Sequence, residues 1–152
     1  MKIGIMGGTF NPIHNAHLLI AEMAREEYGL DRVIFITDGN PPHKSANVTA
    51  KQRFEMTHIA IADNSAFEED DFEINRSEKS YTVNTLGYLK EKYPNNDLFF
   101  IIGEDSLNDF DKWYKPDKIL EMCSLLVFPR KSLKSLTETI KAVKEKMNGR
   151  IF

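Results

Sequence analysis

Four short apolar runs punctuate this chain: KIGIM (Lys2 to Met6), RVIFIT (Arg32 to Thr37), LFFII (Leu98 to Ile102) and SLLVF (Ser124 to Phe128). Runs of this length without polar alternation read as strands covered on both faces, the kind found in parallel sheets joined by helices. The stretches between them carry the helical period. They predict helices over Ala16 to Tyr28, stopped by Gly29, over Ala50 to Ala62 with Thr49 as N-cap, and over Thr82 to Tyr93, closed by Pro94. A short helix is expected within Phe110 to Met122 and a longer one over Leu133 to Met147. Leu18, Leu19, Ala21, Met23 and Ala24 form the expected apolar side of the first helix, and Phe54, Met56, Ile59 and Ala60 that of the second. Asp70 to Asn75 is expected as a further strand, and Arg150-Ile151-Phe152 as the start of another. The implied class is α/β, a parallel sheet with helices on both faces, in a single domain over residues 1–152.

Composition narrows the class of partner. With 20 Lys and Arg against 23 Asp and Glu, the net charge is −3, so a binder that neutralises nucleic-acid backbones is disfavoured. No apolar run approaches the roughly 20 residues needed to cross a bilayer. The start lacks the charged, apolar and small-residue sequence of a secretory signal. The single cysteine, Cys123, allows no internal disulfide framework. A cytoplasmic protein with neither nucleic-acid nor membrane partners is the expectation. The run Glu68-Glu69-Asp70-Asp71 reads as solvated surface.

In parallel α/β sheets ligands bind beyond the carboxyl ends of the strands. Gly7 to His17, Asp38 to Lys44 and Gly103 to Trp113 occupy those positions and are the segments of oddest composition. The first is neither a dinucleotide fingerprint nor a Walker loop, since Met6 and Thr9 stand where glycines would be needed and no Gly-Lys-Ser/Thr follows. It reads as strand, glycine turn, helix. Glycines admit a ligand close to the backbone, and a helix start offers N–H groups and a positive dipole end to an anion. His14 and His17, three apart, can face the same way. Phosphate binding, a structural role and, with less support, a metal site remain open on these residues alone. No third ligand lies at helical spacing for a metal.

Gly7-Gly8-Thr9-Phe10-Asn11-Pro12-Ile13-His14-Asn15-Ala16-His17 resembles the H-x-G-H signature of the nucleotidyltransferase superfamily, usually GGTFDP.H.GH. Asn11 replaces Asp and Ala16 replaces Gly. An alanine there is tolerable if the residue is helical. Asn40-Pro41-Pro42-His43-Lys44, Ser80-Tyr81-Thr82-Val83, Gly103-Glu104-Asp105-Ser106 and Lys112-Trp113-Tyr114 follow in order. Together they resemble bacterial nicotinate-nucleotide adenylyltransferases, from Met1 to the chain end, with Asn84 where that family has Asp.

The resemblance implies a Rossmann-like fold and adenylyl transfer from ATP to nicotinate mononucleotide, giving deamido-NAD and pyrophosphate. It implies that His14 and His17 are catalytic and contact the ATP phosphates, with backbone at Gly8, Thr9 and Phe10 lining the cleft. Gly103 and Asp105 would meet the adenosine ribose, with N-capping the alternative for Asp105. Asn40 and Lys44 would hold the mononucleotide phosphate. Backbone at Tyr81, Thr82 and Val83 would bind the nicotinate carboxylate, and Trp113 would stack on the pyridine ring. Mg²⁺ would be carried mainly by the ATP phosphates, with no protein metal site.

Two other readings are carried forward. A pantetheine-phosphate adenylyltransferase would share the opening signature but is not expected to hold the PPHK or SYTV stretches. A catalytically silent nucleotide-binding module is suggested by the chain end. The superfamily usually continues into a second phosphate motif, I-S-S-T-x-x-R, whereas the chain stops at Arg150-Ile151-Phe152. A C-terminally truncated domain of low activity, its last strand edge open to homo-oligomer formation, is the corresponding expectation.

Overall fold

The apolar runs become strands in the computed structural model, which describes residues 1–10, 12–39, 49–76, 81–129, 133–146 and 149–152. In chain order the elements are β1 (Lys2–Gly8), α1 (Asn15–Tyr28), β2 (Arg32–Thr37), α2 (Ala50–Ile61), β3 (Phe67–Asp70) and α3 (Thr82–Lys92). They continue with β4 (Asp97–Gly103), α4 (Glu104–Asn108), a 3-10 turn at Phe110–Lys112, α5 (Pro116–Met122), β5 (Ser124–Phe128) and α6 (Leu133–Lys146). All strand pairs are parallel, in the order β3-β2-β1-β4-β5.

Side chains alternate across each strand, and the two faces collect separate cores. Ile5, Ile34, Phe100 and Leu125 point to one side, where Leu86 and Leu89 of α3 and Ile119 of α5 cover them. Val33, Phe35, Ile101 and Leu126 point to the other, beneath Ala21 and Ala24 of α1 and Ile61 of α2. The expected helices on both faces are therefore present. Truncating one of the fully buried residues, such as Leu125, would cost about 2–5 kcal/mol. Cys123 lies within the first core, and burial pushes its thiol up to about 12.

Helix ends follow local chemistry. Thr49 Oγ1 accepts from Gln52 N–H at 3.1 Å and the Gln52 side chain accepts from Thr49 N–H at 3.0 Å, a reciprocal cap. Gly29 takes φ 65°, the left-handed stop that favours glycine.

Four expectations need correction. The β3 strand is Phe67–Asp70, and Asp70 to Asn75 is mostly turn. Asp70 ends the strand because its carboxylate accepts from Phe72 N–H at 2.9 Å, bending the backbone out of the ladder. The acidic run is consequently structural rather than solvated. Asp70 is buried and receives Lys92 at 2.9 Å, while Glu68 meets Arg32 at 3.0 Å. In α1, Leu19 and Met23 are exposed and the contact face is Ala21 and Ala24. In α2, Ile59 and Ala60 are exposed, and the buried stripe is Arg53, Thr57 and Ile61. That stripe keeps helical spacing but hides two polar residues, Thr57 bonded to Arg53 O and Arg53 bonded to the distant carbonyls of Thr9 and Asp38, so apolar patterning misreads it.

The terminal strand is borne out as a single parallel bridge, Leu125 to Ile151, with Val127 N–H donating to Phe152 O at 2.8 Å.

Candidate active site

β1 is the switch point of this sheet: the chain leaves it toward β2 on one side, and β4 lies on the other. Beyond the carboxyl ends of these strands opens a cleft of about 490 Å³. Gly8, Thr9 and His17 line it from the β1 side, Asp38 from β2, Glu73 from the turn after β3, Thr82 and Thr85 from α3, and Gly103, Ser106 and Trp113 from the β4 side. Three segments singled out in the sequence thus meet in one cavity.

His17 sits in the first turn of α1, half-buried, and its Nδ1 accepts from the backbone N–H of His14 at 3.1 Å. An accepting Nδ1 carries no proton, so the neutral ring bears it on Nε2 as a donor. Burial, then repulsion from His14, holds the imidazole below the ordinary histidine range. His14 is the N-cap residue and is exposed, its ring stacked on that of His17 at 5.7 Å. Ala16 lies within α1, which meets the condition under which alanine replaces the usual glycine.

The turn before the helix is strained. Phe10 adopts φ 49°, a left-handed conformation that a phenylalanine rarely takes. It is buried, and its ring stands edge-on to His17 at 5.3 Å and packs on Phe35 at 6.1 Å. A Cβ at Gly8 would lie 2.9 Å from the Phe10 ring, so this glycine makes room for an aromatic neighbour as well as for a ligand. At Gly103 nothing stands within 4 Å of an added Cβ, leaving open space beside the cleft.

Across the cleft, Tyr81 is the N-cap residue of α3 without a side-chain cap bond, and Thr82 and Val83 begin the helix. Asn84 and Thr85 N–H groups donate to Tyr81 O at 3.0 and 3.2 Å. Those of Thr82 and Val83 precede the helical ladder, the usual anion-receptive position. Tyr81 packs against Tyr114 at 4.6 Å. Trp113 packs on Phe110 at 5.0 Å and Phe100 at 6.1 Å, and also lines the cleft. Asp105 is not the N-cap of α4. Gly103 is, and Asp105 lies exposed in the first turn, where the helix dipole favours a carboxylate. Asn40 and Lys44 lie outside the described residues.

Two participants escape sequence reasoning. Glu73 lines the cleft and accepts from Thr85 Oγ1 at 2.6 Å. Burial, reinforced by Asp38 and opposed by the Thr85 bond and Arg76, raises its carboxyl to about 7. Arg53 is 1% exposed, and its Nη1 donates to Thr9 O at 2.7 Å and Asp38 O at 2.6 Å. Neither residue sits in a recognisable motif; the helical spacing of Arg53, Thr57 and Ile61 was the one available signal. Among the described residues no three His, Cys, Asp or Glu side chains converge as a metal site, and no helix is long and apolar enough to cross a membrane.

Residues 5–148 match the family described as Cytidylyltransferase-like. The chain is 47% identical over 144 residues to a protein of Citrifermentans bemidjiense named "Probable nicotinate-nucleotide adenylyltransferase", covering 92% of this chain and 67% of that one. A protein of the same name from Pelobacter propionicus is 51% identical over 132 residues, covering 86% of this chain and 61% of the relative. Among solved structures, Plasmodium falciparum nicotinic acid mononucleotide adenylyltransferase complexed with NaAD superposes with a TM-score of 0.77 at 22% identity, over 99% of this chain and 73% of that one. That last likeness establishes the fold.

Proposed function

The chain belongs to the cytidylyltransferase-like family, and from that premise we propose that it transfers the adenylyl group of MgATP to nicotinate mononucleotide, releasing pyrophosphate and making deamido-NAD. The observation that carries this reading is the meeting of His17, the α3 start and Trp113 around one cleft at the switch point of the sheet.

The chemistry suits such a site. The mononucleotide 5′-phosphate arrives ionised and attacks the α-phosphorus in line with the departing pyrophosphate. No protein nucleophile or strong base is needed; positioning and stabilisation of growing negative charge suffice. His17, with Nδ1 occupied by the His14 N–H, directs an Nε2 proton for donation to an α-phosphate oxygen. His14 at the helix start and the backbone of Gly8, Thr9 and Phe10 supply further positive potential. Gly103 leaves room for the adenosine, and Asp105 accepts from its ribose. By resemblance, Asn40 and Lys44 hold the acceptor phosphate.

Selectivity for the acid follows from the α3 start. Thr82 and Val83 N–H groups offer donors to a nicotinate carboxylate, whereas an amide would set its own NH₂ against them. Trp113 covers the electron-poor ring. Mg²⁺ accompanies ATP and is held by its phosphates.

The test is pyrophosphate release with ATP, Mg²⁺ and each of three acceptors. Fastest turnover with nicotinate mononucleotide supports the reading. Faster turnover with nicotinamide mononucleotide or phosphopantetheine overturns it.

A further inference from the structure

We propose that Arg53 is a positioning residue that sets the separation of the two reacting phosphates by holding the β1 and β2 loops in one grip. The inference rests on the proposed reading that the β1 loop serves the ATP phosphates and the segment after β2 the acceptor phosphate.

One nitrogen, Nη1, donates to carbonyls on both sides of the cleft, Thr9 O at 2.7 Å and Asp38 O at 2.6 Å. Both residues line the cavity. The same two segments are also joined by Asp38 N–H donating to Gly8 O at 2.9 Å, so Arg53 closes a second link over an existing one. The side chain is 1% exposed, its Nε has no partner, and none of the ion pairs among the described residues includes it. Burying a guanidinium against carbonyls alone is costly, and a structural link between two loops could be made by a neutral amide. A guanidinium adds something an amide lacks: charge-assisted bonds to both carbonyls from one nitrogen of a rigid fork, which fix the distance between the loops. The grip also reaches His17. Thr9 O is one peptide from Phe10, whose positive φ is held by this arrangement and whose ring abuts the His17 imidazole at 5.3 Å.

Positioning predicts a particular signature. Each substrate meets one loop, so each should still bind alone; only their mutual alignment depends on Arg53. Arg53→Met keeps the apolar stem and drops both bonds. Arg53→Lys keeps the charge and one donor site. Dissociation constants are measured separately for a non-hydrolysable ATP analogue and for nicotinate mononucleotide, alongside the single-turnover rate and the melting temperature. For Arg53→Met the rate should fall about 10²-fold, the scale of a misplacement near 1 Å, while each separate affinity changes less than about threefold. Arg53→Lys should recover part of the rate. A rate loss no larger than the losses in separate affinity, or an unchanged rate, overturns the proposal. If Arg53→Met does not fold, the same comparison is read on Arg53→Lys. Wild-type protein that turns over no acceptor would overturn the function reading instead. The grip is then judged from the Thr9 and Asp38 amide and His17 ring resonances. These move together in the variants if Arg53 joins the loops, and stay at wild-type values if it does not.

Discussion

At the amino end of the sheet, short polar pairings tie strand starts to their neighbours. Lys2 N–H donates to Asp31 Oδ2 at 2.7 Å, Asp97 N–H to Met1 O at 2.9 Å, and Arg32 meets Glu68 at 3.0 Å while lying over the Tyr93 ring. At the carboxyl end the same strands run into a phenylalanine with φ 49°, a guanidinium buried against carbonyls, a carboxyl raised to about 7 and an imidazole held low. The same strands meet at both ends; what differs is the kind of partner: carboxylates face Arg32 and the Lys2 N–H at the amino end, whereas at the carboxyl end Arg53 faces only carbonyls and Glu73 a hydroxyl. An end paired by charge serves stability. An end with a strained residue and buried ionisable groups facing neutral partners stores the interactions that a ligand completes. The contrast can be broken by substitutions on either side, and each should report on only one of the two properties.

The largest expected effect is at His17. His17→Ala should lower kcat by about 10²–10³-fold, as loss of a donor to developing phosphate charge does. Stability should fall by only about 1 kcal/mol, because the substitution orphans just the exposed His14 N–H. Steady-state kinetics and urea melts separate the two. Activity falling merely in step with stability would move His17 to the structural side of the contrast.

Glu73 should show the next largest effect, and here the sign matters. Its folded carboxyl titrates near 7 against an ordinary 4.5, so between these values the folded state holds more protons than the unfolded one. Stability should therefore decline as pH rises from 4.5 through 7, by roughly 3 kcal/mol at most. Glu73→Gln should flatten that decline and be the more stable protein at pH 8. Denaturant melts across this range would expose the error if the wild-type curve rose instead.

Trp113→Leu should weaken nicotinate mononucleotide by about 1–3 kcal/mol, the scale of base–aromatic stacking, with a smaller change for ATP. Equal losses, measured by calorimetry, would assign the indole to its contacts with Phe100 and Phe110 rather than to the ligand. The smallest effect is expected at the amino end. Arg32→Gln removes a partly exposed ion pair and should cost under about 1 kcal/mol, leaving turnover untouched. A loss of activity there would blur the division between the two ends.

The unequal legibility of the fold has the same origin. Strands whose two faces are both buried announce themselves as apolar runs, and four of the five were read within one or two residues of their bounds. β3, with Glu68, Glu69 and Asp70 in four residues, did not, because an edge strand capped by ion pairs looks like surface. The glycine turn, His14 and His17 stood out as a strand-turn-helix junction, which the structure bears out at the start of α1, while a role for them came only from the resemblance. Arg53 was not: its partners are carbonyls of Thr9 and Asp38, and a backbone oxygen leaves no trace in the identity of the residue that bears it. Glu73 was hidden for a related reason. Within the strand expected over Asp70 to Asn75 it carries no sign that the fold closes Gly39 over it, where an added Cβ would come within 2.1 Å of the Glu73 carbonyl.

Cys123 has a practical consequence. With its thiol raised to about 12, fewer than about one molecule in a thousand is a thiolate at pH 8. Alkylating dyes and mild oxidants will pass the native chain by. A cysteine introduced at the cleft rim, for example at Ser106, would then be the only group such a reagent finds. The fold thus supplies its own dark background for fluorescence, letting ligand arrival be watched in real time without first removing any native sulfur.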